Sequence, residues 1–336
     1  MAIFTDVLCD VTKKGRKLPT NEYKDSGLYP IIDQGQNDIA GYTDETSGLF
    51  TDVPAIIFGD HTRIIKYVDT PFFIGADGVK ILKAKEDGAN YKFLYYALSS
   101  TKIPNTGYNR HFKWLKEVDI PSYSQQEQTK IVEELDRIVY LIDLQTQQLN
   151  KLDELVKARF VELFDGKGYP TLKWNDVFNT TTGKLDSNAM VENGEYPFFT
   201  CAKEVFRIDK YAFDQEALLL AGNNAAGKYD VKYYKGKFNA YQRTYVLGLK
   251  EDWSYQLFRF QLEDKLVYLQ QQSLGGLTKY LTLKILGELE FIVPPMDKQN
   301  EFSSFVEQTD KSKLAIQQSL EKLETLKKAL MQQYFG

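Results

Sequence analysis

One stretch constrains this chain more than any other. From Ile131 to Val156, apolar residues recur at alternating steps of four and three: Ile131, Leu135, Ile138, Ile142, Leu149, Leu152, Val156. Gln145 fills the one polar gap in that stripe, and neither Gly nor Pro interrupts the run from Ser122 to Phe164. Sustained spacing of this kind with charged flanks predicts a long helix that packs against another long helix. At ~1.5 Å per residue, forty residues of helix reach about 60 Å, too long for the core of a small domain. The segment therefore reads as a spacer rod led in by Pro121.

The chain has 336 residues, enough for two domains and a connector. The resulting division is a globule over 1–120, the rod over 121–168, a second globule over 169–293 and a second helix over 294–336. The second helix is found by a shift of 174 positions. Gln125, Glu127, Val132, Glu133 and Asp136 then fall on Gln299, Glu301, Val306, Glu307 and Asp310, and Ile142, Leu149 and Leu152 fall on Ile316, Leu323 and Leu326. Both helices end in aromatics, Phe160 and Phe164 in one, Tyr334 and Phe335 in the other.

The globules echo one another in the same order. Phe4-Thr5-Asp6-Val7 is matched by Trp174-Asn175-Asp176-Val177, Tyr29-Pro30-Ile31-Ile32 by Tyr196-Pro197-Phe198-Phe199, and Ala55–Asp60 by Ala217–Gly222. A helix over Tyr91–Ser99 has its counterpart near Tyr255–Leu262, and the exit Ile120-Pro121 is matched by Ile292-Val293-Pro294. Phe4 to Val11 is read as a short helical opening. Such a repeat decides the fold class. It is mixed α/β (α+β): two similar globules of many short strands, separated by a pair of long antiparallel helices that bury each other's stripes, about an approximate two-fold axis.

Composition narrows the function. Net charge is −4, which argues against a generic nucleic-acid binder. The imbalance lies mostly on the rod, where residues 121–168 carry 6 basic and 9 acidic side chains, while residues 169–293 carry 15 of each. A basic face on each globule stays open. Two cysteines, Cys9 and Cys201, give no disulfide framework, and the start MAIFTDVLCD has neither a basic n-region nor an apolar h-region. A cytoplasmic protein without a membrane span is expected. There is no Gly-x-Gly-x-x-Gly loop, no Walker A and no Asn/Asp-Pro-Pro-Tyr/Phe tetrad, since Pro294-Pro295 is followed by Met296. With only His61 and His111 as histidines, no metal site is expected. Glu263-Asp264-Lys265 lacks the Pro-Asp partner of a nuclease motif and reads as a charge run on a helix surface. The chain is read as a non-catalytic protein.

Two similar domains at a fixed separation suit a bipartite target, and duplex DNA repeats every ~34–36 Å. Candidate contacts follow. In the first globule, Lys13, Lys14, Arg16 and Lys17 surround Gly15 and suit phosphates, which position without specifying sequence. Gln34, Gln36 and Asn37 offer amide readout, His61 and Arg63 follow a strand, and Asn109, Arg110 and His111 follow Gly107-Tyr108 with Lys113 close by. Arg pairs with guanine and Asn with adenine in the major groove. In the second globule the candidates are Asn223, Asn224 and Lys228 in Gly222–Lys228, the run Tyr241, Gln242 and Arg243, Lys279 in the loop after Gly275-Gly276-Leu277-Thr278, and Lys184 and Lys203. Solvated loops explain many of these equally well.

The order of globule, Pro-led helix, globule and Pro-led helix resembles the DNA-specificity subunit of type I restriction-modification systems. The resemblance rests on Ile120-Pro121…Gln125-Gln126-Glu127…Ile131-Val132, on Val293-Pro294-Pro295…Gln299-Asn300-Glu301…Phe305-Val306, and on Gly236–Tyr245. It implies that the globules are target-recognition domains, each reading one half of an interrupted site in double-stranded DNA. It implies that the helices bind modification subunits, two of them, within a complex that also holds restriction/translocase subunits. Catalysis, with S-adenosylmethionine, ATP and magnesium, would belong to those partners, leaving no cofactor in this chain. Two alternatives stay open: the separated specificity module of a single-chain methyltransferase-nuclease, and a coiled-coil scaffold whose globules bind protein.

Overall fold

The computed structural model describes all residues except Ala76, Tyr108 and Ala226. The chain divides into two compact units, Met1–Gln147 with Gln317–Gly336, and Gln148–Ile316. Each unit therefore takes one globular segment together with part of both long helices.

The first unit contains β1 (Ala2–Ile3), α1 (Phe4–Val7), β2 (Leu8–Asp10), β3 (Tyr29–Ile32), β4 (Gly41–Thr43), β5 (Ala55–Gly59), β6 (Ile65–Val68), β7 (Phe73–Ile74), β8 (Val79–Ala84), α2 (Tyr91–Ser99), α3 (Phe112–Leu115) and β9 (Asp119–Ile120). The first long helix, α4 (Gln125–Phe164), follows. The second unit contains β10 (Thr171–Lys173), α5 (Trp174–Val177), β11 (Phe178–Thr182), β12 (Tyr196–Phe199), β13 (Phe206–Ile208), β14 (Phe213–Ala221), β15 (Asn223–Asn224), β16 (Val231–Ala240), β17 (Thr244–Leu249), α6 (Tyr255–Asp264), α7 (Leu266–Gln272), β18 (Lys279–Tyr280), α8 (Leu283–Gly287) and β19 (Glu290–Ile292). The second long helix, α9 (Met296–Phe335), closes the chain.

The sequence repeat is a repeat of topology. Unit two has a six-stranded sheet in the order β11-β17-β14-β16-β12-β13. Unit one has the same order broken in two, β2-β8-β5-β6 and β7-β3-β4. The ten-residue β16 pairs with β14 through its first part and lies parallel to β12 at Asn239 and Ala240. In unit one that strand is cut into β6 and β7 around Pro71, which has no N–H to donate. In both units the entry strand closes on the exit strand, Ala2 opposite Ile120 and Thr171 opposite Ile292.

The expected helix over Phe4–Val11 is corrected: it stops at Val7, and Leu8–Asp10 is a strand. Pairing of Leu8 with Ala84 and Asp10 with Leu82 wins over local preference. The helix over Tyr91–Ser99 is observed over those residues, with the Asn90 side chain accepting from Phe93 N as its N-cap.

Both long helices have forty residues. Ser124 and Glu127 start the first as a reciprocal capping box, with the Glu127 carboxylate accepting from Ser124 N at 2.8 Å and from its hydroxyl at 2.7 Å. Within unit one, Ile131 and Leu135 pack beneath α2, with Leu330, Met331 and Phe335 of α9 beside them. Within unit two, Val156, Leu163 and Phe164 pack against Leu257, Phe302 and Val306. The terminal aromatics are wedges between globule and helix, with Phe93 of α2 to Phe335 at 5.4 Å and Phe160 to Phe260 of α6 at 4.7 Å between ring centroids. Gln145, the polar gap, donates to the Ser319 hydroxyl at 2.8 Å. Those two residues stand 174 positions apart, so the pair joins equivalent positions of the repeat.

Candidate nucleic-acid interface

In the second unit, backbone pairing gathers loops that lie far apart in sequence. The segment leaving β14 runs through Gly222, whose N–H donates to Arg243 O at 2.8 Å and whose carbonyl accepts from Leu281 N at 2.8 Å. A Cβ at Gly222 would meet the Arg243 carbonyl, so only glycine permits this crossing. Asn223 then pairs with Tyr280 and Asn224 with Lys279 across the two-stranded β15–β18 ladder. The turn between β16 and β17 is tied down in turn: Tyr241 N donates to Phe199 O and Gln242 N to Leu185 O, each at 2.9 Å. Lys184 sits in that joined segment, beside Leu185, which bridges to Tyr241. Lys184, Asn223, Asn224, Tyr241, Gln242, Arg243 and Lys279 thus come from segments that the backbone joins directly, and Lys228, whose N–H reaches Asn224 Oδ1 at 3.4 Å, closes the group.

These backbones are committed, and most of the side chains reach solvent. Gln242, Arg243, Lys184 and Lys228 are exposed, and Asn223, Asn224, Tyr241 and Lys279 are half-buried. Among the described residues, Lys184, Lys228, Arg243 and Lys279 have no carboxylate ion-pair partner. The local sequence agrees: no Asp or Glu occurs in 217–229, in 231–250 or in 265–287. Lys203 is also exposed, beside Ala202, whose carbonyl holds Lys232. Ala226, in the Gly222–Lys228 run, lies outside the described residues.

The first unit repeats the crossing with different side chains. His111 N donates to Asp60 O at 2.8 Å, as Leu281 N does to Gly222 O. Asp60 adds a carboxylate that accepts from Phe112 N at 2.7 Å. His111 itself is fully buried, with Nδ1 2.9 Å from Asp60 O, which corrects its candidacy as a DNA contact: the ring holds the loop and cannot reach a ligand. Arg63 is half-buried, and its guanidinium donates to Ile103 O at 3.2 Å, bracing the neighbouring segment rather than facing outward. Asn109 turns its amide onto Thr106 O at 2.5 Å, while Arg110 stays exposed. Tyr108 lies outside the described residues.

Arg16 pairs with Glu45 at 2.8 Å, and Lys17 pairs with Asp77. Lys17's hydrogen bond and charge, with smaller help from Arg110, hold the Asp77 carboxyl below the usual carboxylate range. Exposed pairs of this kind hold weakly and give way to a stronger anion. Gln34 bridges two loops, donating to Asp77 O at 2.8 Å and accepting from His61 N at 3.1 Å. Lys13, Lys14 and Gln36 are exposed, as is Lys113 on α3, whose ammonium lies over the Trp114 ring.

Glu263 is half-buried rather than a surface charge. Burial pushes its carboxyl above the usual range, against the pull of Arg259, which it accepts from at 2.8 Å. Among the described residues no group of three or more His, Cys, Asp or Glu side chains is arranged to hold a metal ion, and no helix is long and apolar enough to cross a membrane.

A domain whose first strand closes on its last and from which a long helix leaves, present twice, defines an internally duplicated fold. The model of the family described as type I restriction modification DNA specificity domain matches residues 6–154 and 167–327, and the chain belongs to that family. Among characterised relatives, it is 32% identical over 170 residues to the type I restriction enzyme EcoDI specificity subunit of Escherichia coli, a match covering 48% of this chain and 37% of that protein. It is 33% identical over 82 residues to the EcoR124I/EcoR124II specificity subunit of the same organism, covering 24% and 20%. The matches thus span well under half of those relatives. Among solved structures, the S subunit of a type I restriction-modification system from M. genitalium superposes with a TM-score of 0.71 at 18% identity, over 99% of this chain and 95% of that one. That likeness is one of fold.

Proposed function

We propose that this chain is the DNA-reading subunit of a type I restriction-modification assembly, with one half of an interrupted duplex site read by each unit. One observation carries the reading for the second unit. Asn223, Asn224, Gln242, Arg243, Lys228 and Lys279 converge from separate loops whose segments, 217–229, 231–250 and 265–287, contain no Asp or Glu. Cations take the phosphates, and the amides and Arg243 take base edges. In the first unit the equivalent loops offer Arg110 and, around them, Lys13, Lys14, Arg16, Lys17 and Gln36.

The long helices recruit modification subunits. Tyr140, Leu155, Val161, Leu314 and Leu326 are exposed apolar side chains on them, a surface suited to further helices. The chain carries no catalysis of its own; methyl transfer and cleavage, with S-adenosylmethionine, ATP and magnesium, belong to the partner subunits. Selection of bound duplexes from a randomised pool, with and without a modification subunit, tests this. A two-part interrupted consensus is expected. Recovery of no bipartite sequence under either condition rejects the reading.

A further inference from the structure

Among the described residues, the hairpin running from Leu274 to Tyr280 carries the most exposed large apolar side chain: Leu277 is 95% exposed. Single exposed leucines are ordinary on protein surfaces. This one is set apart by how the loop beneath it is built. Leu274 and Tyr280 exchange backbone hydrogen bonds, N–H to O at 3.1 and 2.9 Å. On its other side the same strand pairs with Asn223 and Asn224. Gly275 has φ +102°, and a Cβ there would run into the Thr278 carbonyl and the Tyr280 ring, so the tight bend requires glycine. Leu277 is thus held out from a braced hairpin with its side chain in solvent. Leu274 and Tyr280 are exposed at its base.

The surroundings select the ligand. Lys279 stands two residues away, opposite Asn224, and Lys228 is tied to Asn224. A Cβ at Gly227 would lie 3.4 Å from the Lys279 side chain, so that loop packs directly on the hairpin. The hairpin and both loops around it contain no acid. An apolar tip rimmed by cations that have no carboxylate partner among the described residues matches a stacked polyanion: phosphates for the rim, and the apolar faces of base pairs for the tip.

We propose that Leu277 is a wedge that enters the base stack of the half-site read by the second unit, with Lys279 and Lys228 on the flanking phosphates. This rests on the DNA-reading function proposed above. Unstacking is easiest at pyrimidine–purine steps, so Leu277 adds preference for such a step at the point of entry without a hydrogen bond to any base.

The test uses the full chain, with a modification subunit, and the duplexes recovered from the randomised pool. Each adenine of the second unit's half-site, on either strand, is replaced in turn by 2-aminopurine, whose fluorescence rises when unstacked. The wild type raises fluorescence at one step. Leu277→Ala abolishes that rise and weakens binding to the selected duplex about tenfold, with the salt dependence unchanged because no phosphate contact is lost. Leu277→Met restores the signal. The Leu277 side chain stands in solvent, so the thermal midpoint of each variant stays that of the wild type. Bound wild type with no rise at any step, a rise that survives Leu277→Ala, or undiminished affinity of that variant overturns the wedge while leaving DNA reading intact. A pool that yields no sequence overturns DNA reading, and the wedge with it.

Discussion

Residues that look alike in sequence part company once their surroundings are known. Lys228 and Lys279 have no carboxylate partner among the described residues, whereas Arg16 and Lys17 are paired with Glu45 and Asp77. Lys279→Ala is expected to weaken binding across all duplexes alike and to lower the slope of log affinity against log salt by about one. Binding titrations at several salt concentrations read both. His111 lies at the opposite extreme. It is fully buried against Asp60, so His111→Ala leaves half-site preference unchanged and costs about 1–3 kcal/mol of stability, measured by urea unfolding, because the ring's packing and its contact with the Asp60 carbonyl are lost while the backbone bond to that carbonyl remains. The sequence could place His111 in a recognition loop, but burial depends on what the fold stacks over it.

Elements are joined to the long helices by a few polar contacts set among apolar ones. In unit one, Asp136 of α4 accepts from Tyr96 OH at 2.7 Å and Lys92 Nζ at 2.5 Å, both on α2. Burial and Asp136 together push the Tyr96 hydroxyl far above its ordinary value, which marks a neutral donor firmly held. Asp136→Ala leaves that buried hydroxyl unpaired and is expected to cost about 1–3 kcal/mol in a denaturant titration. At the start of the same helix, Ser124's hydroxyl and N–H hold the Glu127 carboxyl below the usual range. A lowered folded value means that the cap stabilises above the ordinary glutamate value and is lost as pH falls through the lowered one. The stability difference between wild type and Glu127→Ala is therefore expected to shrink to nothing on acidification, which unfolding measured at a series of pH values will show.

At the scale of the whole molecule, the two units are joined by helices that are continuous through both, α4 passing from one to the other at Gln147–Gln148 and α9 at Ile316–Gln317. If each unit reads its own half-site, helix length governs the gap and leaves the half-sites alone. Removing one heptad from each helix together is expected to change the preferred spacer while both half-site sequences persist, as selection from a randomised pool will report. Altered half-sites would refute this division of labour.

The sequence by itself determined the long helices, the repeat and the order of its matching segments, because these rest on local periodicity and on resemblance between two halves of one chain. The stripe from Ile131 to Val156, the Tyr91–Ser99 helix and the echo of Ala55–Asp60 in Ala217–Gly222 were all legible in that way. It also held a signal that charge totals conceal, the absence of acid from three separate segments of the second globule. What only the tertiary structure decided is adjacency. Asn223–Asn224 meets Lys279–Tyr280 through backbone hydrogen bonds across more than fifty residues, and Leu8–Asp10 becomes a strand because β8 lies beside it. Backbone hydrogen bonds between distant segments leave no periodic mark on either one, so a site assembled by them appears only when the chain is folded.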